Sequence, residues 1–257
     1  MKPYSSDLYK AISGRKRNAC VNLVTDGAMR CIQMWRSFLC LLVTNGGDFQ
    51  RPISSFSTDA PSIVLEYDAS LTGIGVIIFN VVEGAEVEWF VVQEVFPFDL
   101  GDDSGFQNSV EFIAITIGVT ALAARGVRNV NIHVRGDSKA SLKWSGSDSF
   151  RSRRCRAAAT CFIAITTYSG ISIVSVEHIP GETNVRCDAL SRCKENGLSP
   201  ADLGFSDTSV FQLSANPYVQ ALLKLCEPRD VTADECDKDF MGYWTEALEL
   251  TKRIVIQ

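Results

Sequence analysis

The feature that most constrains this chain is a change of apolar period at residue 62, followed by a fixed alternation of two periods. Ser62-Ile63-Val64-Leu65-Glu66-Tyr67 is rich in β-formers and ends at Asp68. A glycine-containing turn, Leu71 to Gly75, leads to Val76-Ile77-Ile78-Phe79, and Glu86 to Val92 reads as a third strand. Residues 107–125 then switch to helical spacing, with apolar side chains at 110, 113, 114, 117, 121 and 122. Val130 to Arg135 is a buried strand, Ser138 to Trp144 a short helix capped by Asp137 or Ser138, and 151–168 another helix. Ile171 to Val176 alternates as a strand, Ile179 to Glu182 turns, and 184–195 is a last helix. The order β-β-β-α-β-α-α-β-α predicts an α/β fold. An antiparallel meander lies beside parallel strand–helix–strand units, giving a mixed five-stranded sheet flanked by helices.

Two extensions flank this unit. Residues 1–61 read as a helical preface, with a basic Gly14 to Asn18 segment, a helix-friendly 19–43 and a Pro/Ser-rich link from Arg51 to Pro61. Residues 197–257 read as a helical C-terminal appendage without evident chemistry. The 257 residues, 46% of them hydrophobic, suffice for one such core plus extensions.

Composition excludes several classes of site. Nine cysteines are scattered without a Cys-x-x-Cys pair, and histidine occurs only at 133 and 178, so zinc-ligand spacing is missing. The odd cysteine count and a start without an apolar signal core predict reduced thiols and an intracellular, cytoplasmic or nuclear protein. The apolar run Phe38 to Val43 is too short to span a membrane, and no membrane partner is expected. The net charge of −5 is unusual for a freestanding duplex binder and fits a site of clustered carboxylates.

Four acids sit at element ends: Asp68 after the first strand, Glu111 early in a helix, Asp137 after the fourth strand and Asp188 near the start of the last helix. In mixed sheets such ends converge at one edge, where sites form. Phosphodiester cleavage needs an activated water and a stabilised leaving oxygen, and two hard cations held by carboxylates supply both. Any one acid alone reads as a turn or cap residue; their joint order carries the case. Arg151-Ser152-Arg153-Arg154-Cys155-Arg156 is the densest basic cluster. Arg153 and Arg154 there read either as phosphate contacts or as a solvated helix start. Trp144 reads as a core or hinge residue before a stacking one, and His133 as structural.

The segments EYDASLTGIGV, QNSVEF, VRGDSKASLKW and HIPGETNVRCDALSR together resemble the RNase H family. They look closest to the RNase H domains that follow reverse transcriptase in gypsy-class and tyrosine-recombinase retrotransposons. The resemblance covers about residues 62–196, and its last segment is the most specific. It implies an RNase H-like fold and hydrolysis of the RNA strand of RNA–DNA hybrids by two Mg2+ ions, with Mn2+ able to substitute. Asp68, Glu111, Asp137 and Asp188 would be the ligands and catalytic groups, Asp68 bridging the metals and Asp137 orienting the water. Gln107 and Asn108 match positions that touch the minor groove of the hybrid, and Ser70 and Lys139 match substrate-side positions. His178 matches either the loop histidine that aids product release in cellular members or a plain strand-end residue. Residues 19–60, with Met34-Trp35 and Arg51-Pro52, loosely resemble the connection joining a polymerase thumb to RNase H. A reverse transcriptase polymerase domain is therefore an expected partner. No palm motif is present, so no DNA synthesis is expected from this polypeptide alone. Two other readings stay open: a binding module that kept the fold without activity, and a DNA-acting nuclease of the same superfold.

Overall fold

The structure, a computed structural model, describes residues 60–96, 104–146, 153–211, 213 and 219, together with single helical positions between 29 and 40. The side chains of 104–106, 153–157, 160 and 168 are outside the description. Most of the expected preface, and all of the expected C-terminal appendage beyond 211 except Leu213 and Val219, lie outside the described residues.

Five strands form one sheet: β1 (Ile63–Ala69), β2 (Gly73–Val82), β3 (Ala85–Val95), β4 (Asn131–Gly136) and β5 (Ser172–His178). Their spatial order is β3-β2-β1-β4-β5. β1 pairs antiparallel with β2, and β2 with β3, while β1–β4 and β4–β5 are parallel. This is the mixed sheet expected from the element order. The β2–β3 hairpin closes through Glu83 (φ 52°) and Gly84 (φ 82°). Positive φ at both loop positions matches the right-handed twist of the strands it joins.

The helices are α1 (Ser104–Ala124), α2 (Lys139–Ser145), α3 (Arg153–Ser169), α4 (Val185–Ser191) and α5 (Cys193–Asn196), followed by a 3-10 turn, Pro200–Leu203. Alternation along β1 sends Ile63, Leu65, Tyr67 and Ala69 to one face. There they join Val76, Phe90, Val134, Phe112 and Phe162 in the main core. α1 is apolar on nearly every side because it lies between this face and α3. Its stretch Gln107–Ala124 has the length and composition to cross a bilayer, yet 83% of it is buried inside the fold, as befits a core helix. Truncating Phe112, wholly buried there, would cost about 3–5 kcal/mol.

The opposite face carries a smaller core of Ile77, Val91, Cys187, Leu190, Cys193 and Phe205. α4 crosses β2 here at close range. A Cβ on Gly75 would stand 2.4 Å from the Cys187 carbonyl oxygen and 2.6 Å from the Leu190 Cβ. One on Gly73 would stand 2.8 Å from the Ser191 carbonyl oxygen. The two glycines let the helix backbone rest on the strand backbone.

The sequence places a boundary at 196/197, and described residues beyond it join the same cores. Val210 bridges Val91 in parallel, with Phe211 N–H donating to the Val91 carbonyl at 2.8 Å. The segment thereby covers the free edge of β3, which would otherwise present unpaired backbone groups. The Arg125 guanidinium lies 4.3 Å from the Phe90 ring centre and 4.8 Å from that of Phe211, linking this segment to the end of α1. Leu213 and Val219 belong to the main core.

Candidate metal centre

The parallel strands β1 and β4 end side by side, and their last residues open the site. Asp68 is the penultimate residue of β1, on the face covered by α4. Asp137 follows Gly136, the end of β4. A Cβ on Gly136 would stand 2.6 Å from the Tyr67 ring. Glycine therefore lets β4 run close beside the tyrosine and bring Asp137 toward Asp68. Ser138 is the N-cap of α2 and accepts from Ser141 N–H at 3.3 Å. Of the two caps open from sequence it is the serine that serves, which keeps the Asp137 carboxylate out of capping.

Glu111 enters from α1. One ligand oxygen from each of Asp68, Glu111 and Asp137 lies within 4.8 Å of the others. Asp68 is 5% exposed and Glu111 4%. Burial pushes the Asp68 carboxyl up to about 6; the Ser191 hydroxyl bond opposes this, and the charges of Asp137 and Asp188 add to it. Burial also pushes Glu111 well above the usual carboxylate range, and Asp68 and Asp137 push it further. Glu111 Oε2 is buried without a hydrogen-bond partner.

Asp188, the fourth expected acid, stands apart from the other three. It sits one turn into α4, half-exposed, and accepts from Arg192 Nε at 2.7 Å. Its charge still contributes to the field at Asp68. The intrahelical pair with Arg192 holds it toward solvent; the i,i+4 spacing favours that pairing.

The expected substrate-side residues divide. Ser70 is 2% exposed. Its hydroxyl donates to the Ser191 carbonyl at 2.8 Å and accepts from Gly73 N–H at 3.0 Å. It closes the β1–β2 turn and holds α4. Gln107 Nε2 donates to the Ala69 carbonyl and, at 3.1 Å, to Glu111 Oε1, so its amide serves the end of β1 and the glutamate. Asn108 is half-buried beside it and Lys139 is exposed at the start of α2. Arg153 and Arg154 open α3, their side chains outside the described residues. His178 is the exposed last residue of β5, opposite Gly136. His133 bonds Ser175 at 2.7 Å and Glu177 at 3.2 Å across β4 and β5. Trp144 packs edge-on to Phe112, a core role.

Two residues of the last and most specific motif segment hold positioning roles that the sequence does not assign to them. Asn184 is wholly buried, and its Nδ2 donates to the Tyr67 carbonyl at 3.0 Å and reaches Asp68 Oδ1 at 3.5 Å. It occupies the N-cap of α4 without capping it. An asparagine before a helix reads as a cap, which conceals this turn toward the sheet. Ser191, also wholly buried, donates to Asp68 Oδ2 at 2.6 Å.

The donor set fits a hard divalent cation. Every ligand is a carboxylate oxygen, as Mg2+ and Mn2+ prefer. A cation there would relieve the mutual repulsion of the three acids and give Glu111 Oε2 a partner.

No protein-family model matches the chain, and no curated protein matches it. Among solved structures it is similar to the RNase H1 of the halophilic archaeon Halobacterium salinarum NRC-1. The identity is 23% and the TM-score 0.39, over 52% of this chain and 98% of that one. It is similar also to LC11-RNase H1, isolated from compost by a metagenomic approach. There the identity is 18% and the TM-score 0.37, over 55% of this chain and 100% of that one. Likeness at this level says nothing of chemistry.

Proposed function

We propose that this chain is a metal-dependent ribonuclease H, hydrolysing the RNA strand of RNA–DNA hybrids. The observation that carries the reading is the meeting of Asp68, Glu111 and Asp137 from β1, α1 and the end of β4, with one buried Glu111 oxygen unpartnered. The four motifs around these acids, which resemble RNase H sequences, narrow a generic carboxylate centre to this reaction class.

Asp68, Glu111 and Asp137 would hold the cations, and Asp188 would join them on leaving Arg192. Bound Mg2+, or Mn2+ in its place, supplies an activated water and charge neutralisation at the leaving oxygen. Ser191 and Asn184 hold Asp68, and Gln107 holds Glu111. Asp137, which lies beside Gly181, would orient the attacking water, as the resemblance implies. Asn108 and Lys139 would contact the hybrid, whose wide minor groove offers the 2′-hydroxyls that mark RNA. Arg153 and Arg154 would meet phosphates.

The finer assignment rests on the sequence resemblance. It is a retroelement reverse transcriptase context, with a domain at 62–196, a connection-like preface at 1–61 and a polymerase domain as partner; an intracellular location rests instead on the cysteine usage. The Asp188–Arg192 pair favours a second reading, a module that binds hybrids without cutting them. A labelled RNA–DNA hybrid incubated with Mg2+, beside single-stranded RNA, double-stranded RNA and double-stranded DNA, tests both. Cutting of RNA only in the hybrid, lost in Asp68→Asn, is expected. Binding without cutting, in Mg2+ and in Mn2+, would overturn the nuclease reading in favour of the module. Cutting of DNA would move the chain to the DNA-acting branch of the superfold.

A further inference from the structure

Ser191 stands where α4 meets the end of β1. It is wholly buried, so its hydroxyl hydrogen must find an acceptor inside the protein. Two are in reach: Asp68 Oδ2 at 2.6 Å and the Asp188 carbonyl, three residues back in the helix, at 2.9 Å. A serine in a helix commonly returns its hydroxyl to such a carbonyl. The two distances decide otherwise. A hydroxyl-to-carboxylate bond is strongest at roughly 2.5–2.7 Å, where charge assistance makes it about twice as strong as a neutral bond. The proton therefore belongs to Asp68.

Backbone placement supports this. The Ser191 carbonyl accepts from the Ser70 hydroxyl at 2.8 Å, and its backbone lies directly over Gly73 and Gly75. The residue is thereby bonded to the β1–β2 turn at Ser70 and packed against the start of β2, which keeps its hydroxyl beside Asp68. Asn184, one helix length earlier, meets the other Asp68 oxygen at 3.5 Å. The carboxylate plane is held from both sides by the helix that also carries Asp188.

We propose that Ser191 is a positioning residue for the metal centre: its hydroxyl fixes the Asp68 carboxylate plane and ties it to the helix that carries Asp188. The proposal rests on the metal-dependent reading of the site. It predicts that loss of the hydroxyl weakens cation binding itself, before any effect on hydrolysis. Partners that orient metal ligands typically change affinity by 10–100-fold when removed.

The test is Mn2+ binding to the full chain, followed by the paramagnetic resonance of free Mn2+, for the unaltered protein, Ser191→Ala and Ser191→Thr. Metal-free thermal unfolding of each is measured alongside. Ser191→Ala removes one oxygen atom; it should still unfold cooperatively, at a somewhat lower temperature for the lost buried hydrogen bond, while binding Mn2+ at least about tenfold more weakly. Ser191→Thr, if it unfolds normally, should restore the affinity; if the added methyl unfolds it, the alanine variant decides alone. Equal Mn2+ affinity in Ser191→Ala and the unaltered protein would overturn the proposal, whatever happens to stability. No Mn2+ binding by the unaltered protein would overturn both this proposal and the metal-dependent reading. Binding that depends on Ser191, without any hybrid cleavage, would overturn the nuclease reading alone.

Discussion

Gln107 and Glu111 lie one turn apart on α1, and the Gln107 amide donates to Glu111 Oε1 at 3.1 Å while also donating to the Ala69 carbonyl at the end of β1. One side chain thus orients a buried carboxylate against the strand that bears Asp68. It leaves Glu111 Oε2 as the oxygen without a partner. A position that resemblance assigns to the hybrid groove is occupied, in this fold, with holding the centre together.

That relationship separates two roles by kinetics. Gln107→Ala should lower kcat for hybrid cleavage by roughly tenfold with KM within about twofold, because the lost contact is to a ligand and not to substrate. Steady-state rates over a range of hybrid concentrations measure it. A rise in KM at unchanged kcat would return Gln107 to the groove.

The crowded carboxylates should make stability depend on both pH and metal. Asp68 has its folded value raised to about 6 from 3.8, so its favourable contribution is complete below the unfolded value and is lost as pH rises through 6. The loss by pH 8 is on the order of 2–3 kcal/mol. Glu111 acts in the same direction. Urea unfolding at pH 4 and pH 8 should show the decline without metal, and millimolar Mg2+ should reverse much of it at pH 8. Asp68→Asn should be more stable than the unaltered protein at pH 8 without Mg2+ and should respond less to adding it.

A further buried acid, away from the centre, gives a pH effect that metal should leave untouched. Glu94 on β3 is 3% exposed and accepts from Leu213 N–H at 3.2 Å. Burial pushes it up to about 7 from 4.5, against the opposing Leu213 bond. The sign is the same: stability is full below 4.5 and falls as pH rises through 7. Glu94→Gln keeps an acceptor for Leu213 and removes the buried charge. It should gain on the order of 1–3 kcal/mol at pH 8, nothing at pH 4, and show an unchanged Mg2+ response. Equal pH profiles for the two proteins would show that Glu94 ionises at no cost.

Gly75→Ala probes the approach of α4 to the sheet. Its methyl would stand 2.4 Å from the Cys187 carbonyl oxygen and 2.8 Å from Ser191 N, both backbone atoms that yield only if the helix moves. Overpacking of this kind costs about 1–3 kcal/mol. Moving α4 also shifts Asp188 and Ser191 relative to Asp68, so hybrid cleavage should fall by about a hundredfold, more than the stability loss accounts for. Thermal unfolding and initial rates on one preparation separate the two effects.

Much of this was legible without coordinates. Strand alternation in Ile63 to Tyr67, helical spacing after Gln107 and the breaks at Gly126 and Gly181 are local signals, and they order the elements correctly. The acids stood out because each ends an element, and element ends of a mixed sheet converge. What the chain could not announce are contacts between residues more than a hundred positions apart. Asn184 and Ser191 lie in the last predicted helix with no sign of their partner, until α4 is laid over β2 and both meet Asp68. Nor does the sequence around Ser70 announce that the same helix buries it. The residues beyond 196 have no periodic signature of a sixth strand, because Val210 and Phe211 gain their place from the open edge of β3 and from Arg125. The sequence by itself determined the order of strands and helices and which carboxylates were available, since backbone preference and apolar period act over a few residues. Only the tertiary structure decided which of those carboxylates meet, which is turned aside by Arg192, and which neutral side chains hold them. Burial and hydrogen bonding at the site come from segments that meet only when the sheet and its covering helices pack.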